Sequence, residues 1–194
     1  MMTGYVAFLR AINVGGRSMV KMDALKKAFD EAGCHDARTY IQSGNVVFEC
    51  EASRAPSVFR NIHARVRPLL GREATILFRT LDELRRLVRA NPFKAVPSGR
   101  DKKLYVTFLV EAPSKKPKAS LASAQEALGV VGMKGLDVFV VSGRKKSGFY
   151  GFPNNFIEKE LGVLGTSRNW STVSKIVDFA RTGPESSESV KPSV

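Results

Sequence analysis

The chain is 194 residues long with a formal net charge of +13, enough for one compact domain or two small ones; 43% apolar and 25% charged residues are globular proportions that exclude wholesale disorder. Two cysteines (Cys34, Cys50) and two histidines (His35, His63) exclude a disulfide framework and offer no metal-ligand spacing. No apolar run approaches the ~18 residues of a membrane span, and the apolar stretch 5–9 is shorter than a secretory leader and ends at Arg10, so the expected compartment is the reducing cytoplasm, with no membrane partner.

Residues 5–10 alternate and are rich in β-formers, which predicts a strand. Residues 11–20 form a loop containing Asn13, Gly15 and Gly16. A helix is predicted over 22–32, where Leu25, Ala28, Phe29 and Ala32 recur at helical spacing, Asp23 favours the first turn and Gly33 suits the C-terminal cap. Strands at 37–41 and 46–49 flank Ser43-Gly44-Asn45, a tight hairpin turn. Pro56 opens a helix that turns Val58, Phe59, Ile62, Val66 and Leu69 inward, and a strand follows at 74–78. Thr80 and Glu83 form a capping-box signature for the next helix, which Asn91-Pro92 stops.

The second half opens with a polar basic loop at 94–103 and a strand at 104–110. A basic loop at 114–118 leads to a short helix near 121–128. Strands at 136–141 and 149–152 flank a turn at 142–147, followed by a helix at 155–161 closed by Gly162 and an extended piece near 165–167. A last helix over 171–181 turns Val173, Ile176, Val177 and Ala180 inward. Residues 183–194 carry Pro, Ser and Glu without periodicity, which predicts a disordered tail. The predicted class is α+β: two tandem ferredoxin-like βαββαβ halves with antiparallel sheets, residues 1–92 and 93–182, each with an extra helix after its βαββαβ unit. The shared element order points to duplication, and a Ser-Gly pair in each predicted hairpin, Ser43-Gly44 and Ser142-Gly143, is a weaker sign of it.

Three polar segments are candidate ligand sites. Arg10, Asn13, Gly15 and Gly16 lie between a strand and a helix, where glycines let backbone N–H groups approach an anion. The segment matches neither GxGxxG nor GxxxxGK[ST], and a connector needing positive φ is its structural alternative. Gln42, Ser43, Gly44 and Asn45 either present donors at a hairpin tip or supply turn chemistry; Ser43 has neither a paired base nor a GxSxG setting. In the stretch 166–175, Arg168 and Lys175 suit an anion and Trp170 suits stacking on a ring, while Asn169 or Ser171 caps the last helix and Thr172 lies in its first turn. The alternative makes Trp170 a core anchor and Arg168 a structural partner.

Basic residues supply a fourth candidate. Arg60, His63 and Arg67 share a helix face, Arg85, Arg86 and Arg89 cluster on the next helix, and Lys115, Lys116, Lys118, Arg144, Lys145 and Lys146 sit in loops. They fit either a path for a phosphate backbone or a solvated surface. No carboxylate pair, metal set or cofactor fingerprint stands out, so no catalytic residue, metal or cofactor is assigned; Cys34 and Cys50 read as small buried apolar residues.

The stretches YVAFLRAINVGG (5–16), RTYIQSGNVVF (38–48), Asn91-Pro92-Phe93, 104–109 and GTSRNWSTVSK (165–175) resemble a widespread bacterial family, the domain of unknown function numbered 1697, in register over nearly the whole chain. The resemblance implies an α+β fold and a family-typical set at Arg10, Asn13, Gly15, Gly16, Gln42, Ser43, Gly44, Asn45, Arg168, Asn169, Trp170, Thr172 and Lys175. It implies no reaction, cofactor or substrate. The chain departs from the family pattern at 143–148 (GRKKSG), where its extra positive charge looks particular to this protein. The expected function is binding of an anionic ligand, nucleic acid or a phosphorylated metabolite, held between the two halves. The alternatives are an enzyme of unrecognised type, using Ser43 or an acidic residue in the cleft, and an interaction or scaffold protein whose motifs are purely structural.

Overall fold

The computed structural model describes residues 1–12, 20–97, 99–114 and 121–182. The predicted tail at 183–194, and Asn13, Gly15, Gly16, Lys115, Lys116 and Lys118, lie outside the described residues. The chain divides into two units, Met1–Arg85 with the stretch from Lys175 onward, and Arg86–Ser174.

In the first unit, β1 (Met2–Leu9), α1 (Met22–Glu31), β2 (His35–Tyr40), β3 (Asn45–Glu51), α2 (Ala55–Leu70) and β4 (Ile76–Thr80) follow in order. The four strands form an antiparallel sheet in the order β2-β3-β1-β4. β1 is central, and Tyr5, Val6, Ala7, Phe8 and Leu9 are all buried, as a strand covered on both faces requires. Tyr5, Ala7 and Leu9 share one core with Leu25 and Phe29 of α1 and Val58, Ile62 and Val66 of α2. Phe59 stacks on Phe78 with ring centroids 3.9 Å apart and planes 3° from parallel, which fastens α2 to β4. On the other face Leu81 reaches β1 so closely that a Cβ on Gly4 would meet its Cδ1 at 2.5 Å. That leucine opens α3 (Leu81–Ala90). The expected capping box is formed there: the Glu83 N–H donates to Thr80 Oγ1 at 3.1 Å, and the Thr80 N–H donates to Glu83 Oε2 at 2.7 Å.

The second unit contains β5 (Lys102–Leu109), β6 (Ala122–Ser123), β7 (Leu128–Lys134), β8 (Asp137–Gly143), α4 (Pro153–Leu161) and β9 (Gly165–Asn169). α5 (Trp170–Phe179) follows directly. The strands make a five-stranded antiparallel sheet in the order β6-β7-β8-β5-β9. Leaving β6 aside, β7-β8-β5-β9 repeats the strand order of the first sheet. The molecule is therefore α+β, with antiparallel sheets of four and five strands and five helices among the described residues.

Two predicted elements of this unit are corrected. The helix expected near 121–128 is instead β6, a turn and the start of β7. Its Ala, Gln, Glu and Leu content favours a helix locally, but Ala122 pairs with Gly129 and Leu128 with Ser142, so sheet pairing overrides propensity. The hairpin expected between 136–141 and 149–152 is instead β7 with β8, turning at Gly135 with φ +59°. Glycines 129 and 132 interrupt the alternation that would have marked β7. Of 149–152 only Tyr150 bridges, to Arg144, and Ser142-Gly143 ends β8 and lies in no hairpin turn.

Candidate functional site

The end of β1 and the β2–β3 turn come together. The Leu9 N–H donates to the Gly44 carbonyl at 2.8 Å, and the Arg10 N–H donates to the Thr75 carbonyl at 2.9 Å. Gly44 is at φ +71°, and a Cβ there would lie 2.2 Å from Ile12 Cγ2, so both its conformation and its surroundings demand glycine. Asn45 is fully buried and its Nδ2 donates to Ser43 Oγ at 2.7 Å and to the Tyr40 carbonyl at 3.2 Å. These bonds tie the start of β3 to the end of β2 and to the turn between them. Arg10 and Ser43 are half-buried, and Gln42 is exposed. Asn13, Gly15 and Gly16 lie outside the described residues.

The segment around Trp170 builds a second corner, inside the other unit. β9 is an edge strand, yet Thr166, Ser167 and Arg168 are all buried. Arg168 Nη1 donates to Thr166 Oγ1 at 2.8 Å and to the Ser167 carbonyl at 2.9 Å. Burial lowers the guanidinium pKa to about 10, so it stays charged at neutral pH. Thr107 and Ser167 share a buried hydroxyl hydrogen bond of 2.7 Å, and Asn154 Oδ1 accepts the Ser167 N–H at 2.8 Å. Sequence reasoning missed Thr107 and Asn154; neither carries a local pattern, because their partners are 60 and 13 residues away. Asn169 is exposed, Trp170 and Thr172 are half-buried, and Lys175 is exposed further along α5.

Trp170 meets Phe93 edge to face, with centroids 5.4 Å apart, and Phe93 meets Phe139 at 6.0 Å. Phe93 and Trp170 line an open pocket of about 290 Å³ with Asn91, Leu104, Lys94 and Lys102. Lys94 and Lys102 are exposed. Asn91 shapes the rim: its Oδ1 accepts the Phe93 N–H at 3.3 Å and its φ of +40° ends α3. An apolar aromatic wall beside two ammonium groups suits a flat ring carrying negative charge. A second pocket, about 350 Å³, has Phe152 and Phe156 beside Glu126, Lys159 and Glu160. Its mixed charge, with Glu126 already paired to Lys145, makes it a poorer anion site. Among the described residues no group of three His, Cys, Asp or Glu side chains could hold a metal ion. No described helix is long and apolar enough to cross a membrane.

The matching family model, described as Protein of unknown function (DUF1697), covers residues 2–139. The chain belongs to that family. Among solved structures, the conserved bacterial protein SP0830 from Streptococcus pneumoniae is similar at 20% identity and a TM-score of 0.58, over 93% of this chain and 100% of that one. That likeness extends the shared α+β fold well past residue 139. No curated protein matches the chain.

Proposed function

We propose that this protein binds a phosphorylated ligand with a flat ring, a nucleotide or a segment of nucleic acid, at the pocket walled by Phe93 and Trp170. The observation that supports this reading most is that Lys94 and Lys102 line the same pocket as that aromatic wall. In this reading Trp170 stacks on the ring and the two lysines meet the phosphate. Arg168 acts indirectly: buried beneath the β9–α5 corner, it positions the segment from which Trp170 projects. The net charge of +13 adds long-range attraction for polyanions.

The order β2-β3-β1-β4 and its counterpart β7-β8-β5-β9 support two ferredoxin-like sheets in tandem. A second reading, a scaffold whose motifs are structural, is favoured by the buried positions of Gly44 and Asn45. One titration separates the two. Trp170 is the only tryptophan, so its fluorescence, followed on adding mononucleotides and short single-stranded oligonucleotides at two salt concentrations, reports the pocket directly. Saturable quenching that weakens with salt and needs a higher ligand concentration in Lys102→Ala is expected. An unchanged signal together with no retention in a filter-binding assay would overturn the proposal and leave the scaffold reading.

A further inference from the structure

Cys34 immediately precedes β2, and Cys50 lies in the neighbouring strand β3. β2 and β3 pair antiparallel with His35 opposite Glu49. Continuing that pairing one step past the end of β2 sets Cys34 opposite Cys50, and the two thiols are close enough for Cys50 to act on the titration of Cys34. Burial follows the rungs: His35 and Glu49 are exposed, whereas Cys34 and Cys50 are 8% and 1% exposed and belong to the same hydrophobic core. Both side chains therefore leave the same face of the sheet. Residues directly opposite in an antiparallel pair have Cα atoms ~4.5 or ~5.5 Å apart. A disulfide spans Cα separations of roughly 4.4–6.8 Å. We propose that Cys34 and Cys50 are a dormant thiol pair that a peroxide converts into an intrachain disulfide, tying the edge strand β2 to β3.

The order of the chemistry follows from the surroundings. Burial, then the neighbouring Cys50, pushes the Cys34 thiol up to about 12. Burial also raises Cys50, but the Arg54 guanidinium opposes that shift. Cys50 is thus the first nucleophile. Its thiolate attacks one peroxide oxygen; an S–O bond forms, the O–O bond breaks, and the departing hydroxide takes up a proton to become water. Cys50 is then a sulfenic acid. The Cys34 sulfur attacks the Cys50 sulfur; the S–S bond forms, the S–O bond breaks, and the oxygen leaves as a second water carrying the Cys34 proton. Two thiols have lost two electrons and one peroxide has gained them. At rest both groups stay protonated at neutral pH, so the pair is closed to casual oxidation.

The test uses the intact chain and hydrogen peroxide, with circular dichroism confirming that it stays folded. Free thiols counted after denaturation should fall from two to none, and peptide mapping should find one fragment linking Cys34 to Cys50, released by a thiol reductant. In Cys50→Ser the Cys34 thiol should survive the same treatment. Two thiols surviving in the parent chain, sulfinic acid on either cysteine without a link, or a link between two chains would each overturn the proposal. Because the mapping is done on the unaltered protein, it decides the matter even if the variant fails to fold.

Discussion

Gly44 shows how much a single position can carry. Its positive φ and its 2.2 Å approach to Ile12 Cγ2 leave no room for a side chain. Gly44→Ala should lower the unfolding free energy by roughly 2–4 kcal/mol, combining left-handed strain with overpacking. Urea unfolding followed by circular dichroism measures it, and an unchanged midpoint would mean the turn relaxes freely. Cys34 gives a pH prediction with a definite sign. Its folded pKa, about 12, lies above the ordinary value of 9.0, so the folded state keeps a proton that the unfolded chain releases. The thiol's contribution to stability is complete below pH ~9 and falls as pH rises from there toward the folded pKa. Alkylation of Cys34 by iodoacetamide in the native protein should stay slow through pH 9 and 10, where the urea-unfolded chain labels fast. Neither effect is visible in the letters alone: Ser43-Gly44-Asn45 reads as a turn, but the side chain of Ile12 that makes glycine obligatory does not announce itself.

At the scale of elements, local signals were legible wherever a chemical rule acts within a few residues. Thr80 and Glu83 predict a capping box, and the reciprocal bonds are formed. Thr80→Ala should cost about 1 kcal/mol of stability, the usual worth of an N-cap hydroxyl; a thermal melt within error of the parent would show that Leu81 packing alone sets the start of α3. The left-handed Gly162 closes α4 at φ +68°, where the sequence places it. The failures share one cause. β7 is held by its register with β8, and nothing within residues 128–134 distinguishes a strand from the helix that Ala122, Gln125 and Glu126 favour just before it. Pairing with a strand beyond the turn decides the matter, and pairing is not a local property.

For the whole molecule, charge makes a prediction of its own. A chain of +13 attracts any polyanion, so binding alone is weak evidence; its salt dependence carries the information. For a short oligonucleotide, a plot of log affinity against log salt should fall linearly, and Lys102→Ala should reduce the slope by about 1, the signature of one lost phosphate contact. An unaltered slope in that variant would move the contact away from the pocket at Phe93 and Trp170. The candidate site was half legible. Trp170 and the residues before it stand out as a polar, aromatic segment, whereas Lys94 and Lys102 look like ordinary members of a basic loop.

The sequence by itself determined the α+β class, the helices with good caps, the central apolar strands and the membership of a family whose model matches residues 2–139, with LRAINVGG and QSGNVVF inside that match. Those are properties of periodicity and of chemistry between near neighbours, and both are written in consecutive residues. Only the tertiary structure decided the pairing of β7 with β8, the glycine at 44, the buried hydrogen bond of Thr107 with Ser167, the aromatic pocket and the burial of Cys34 and Cys50 in one core. Each depends on separate segments meeting, where register, burial and close packing act together and no local pattern reports the outcome.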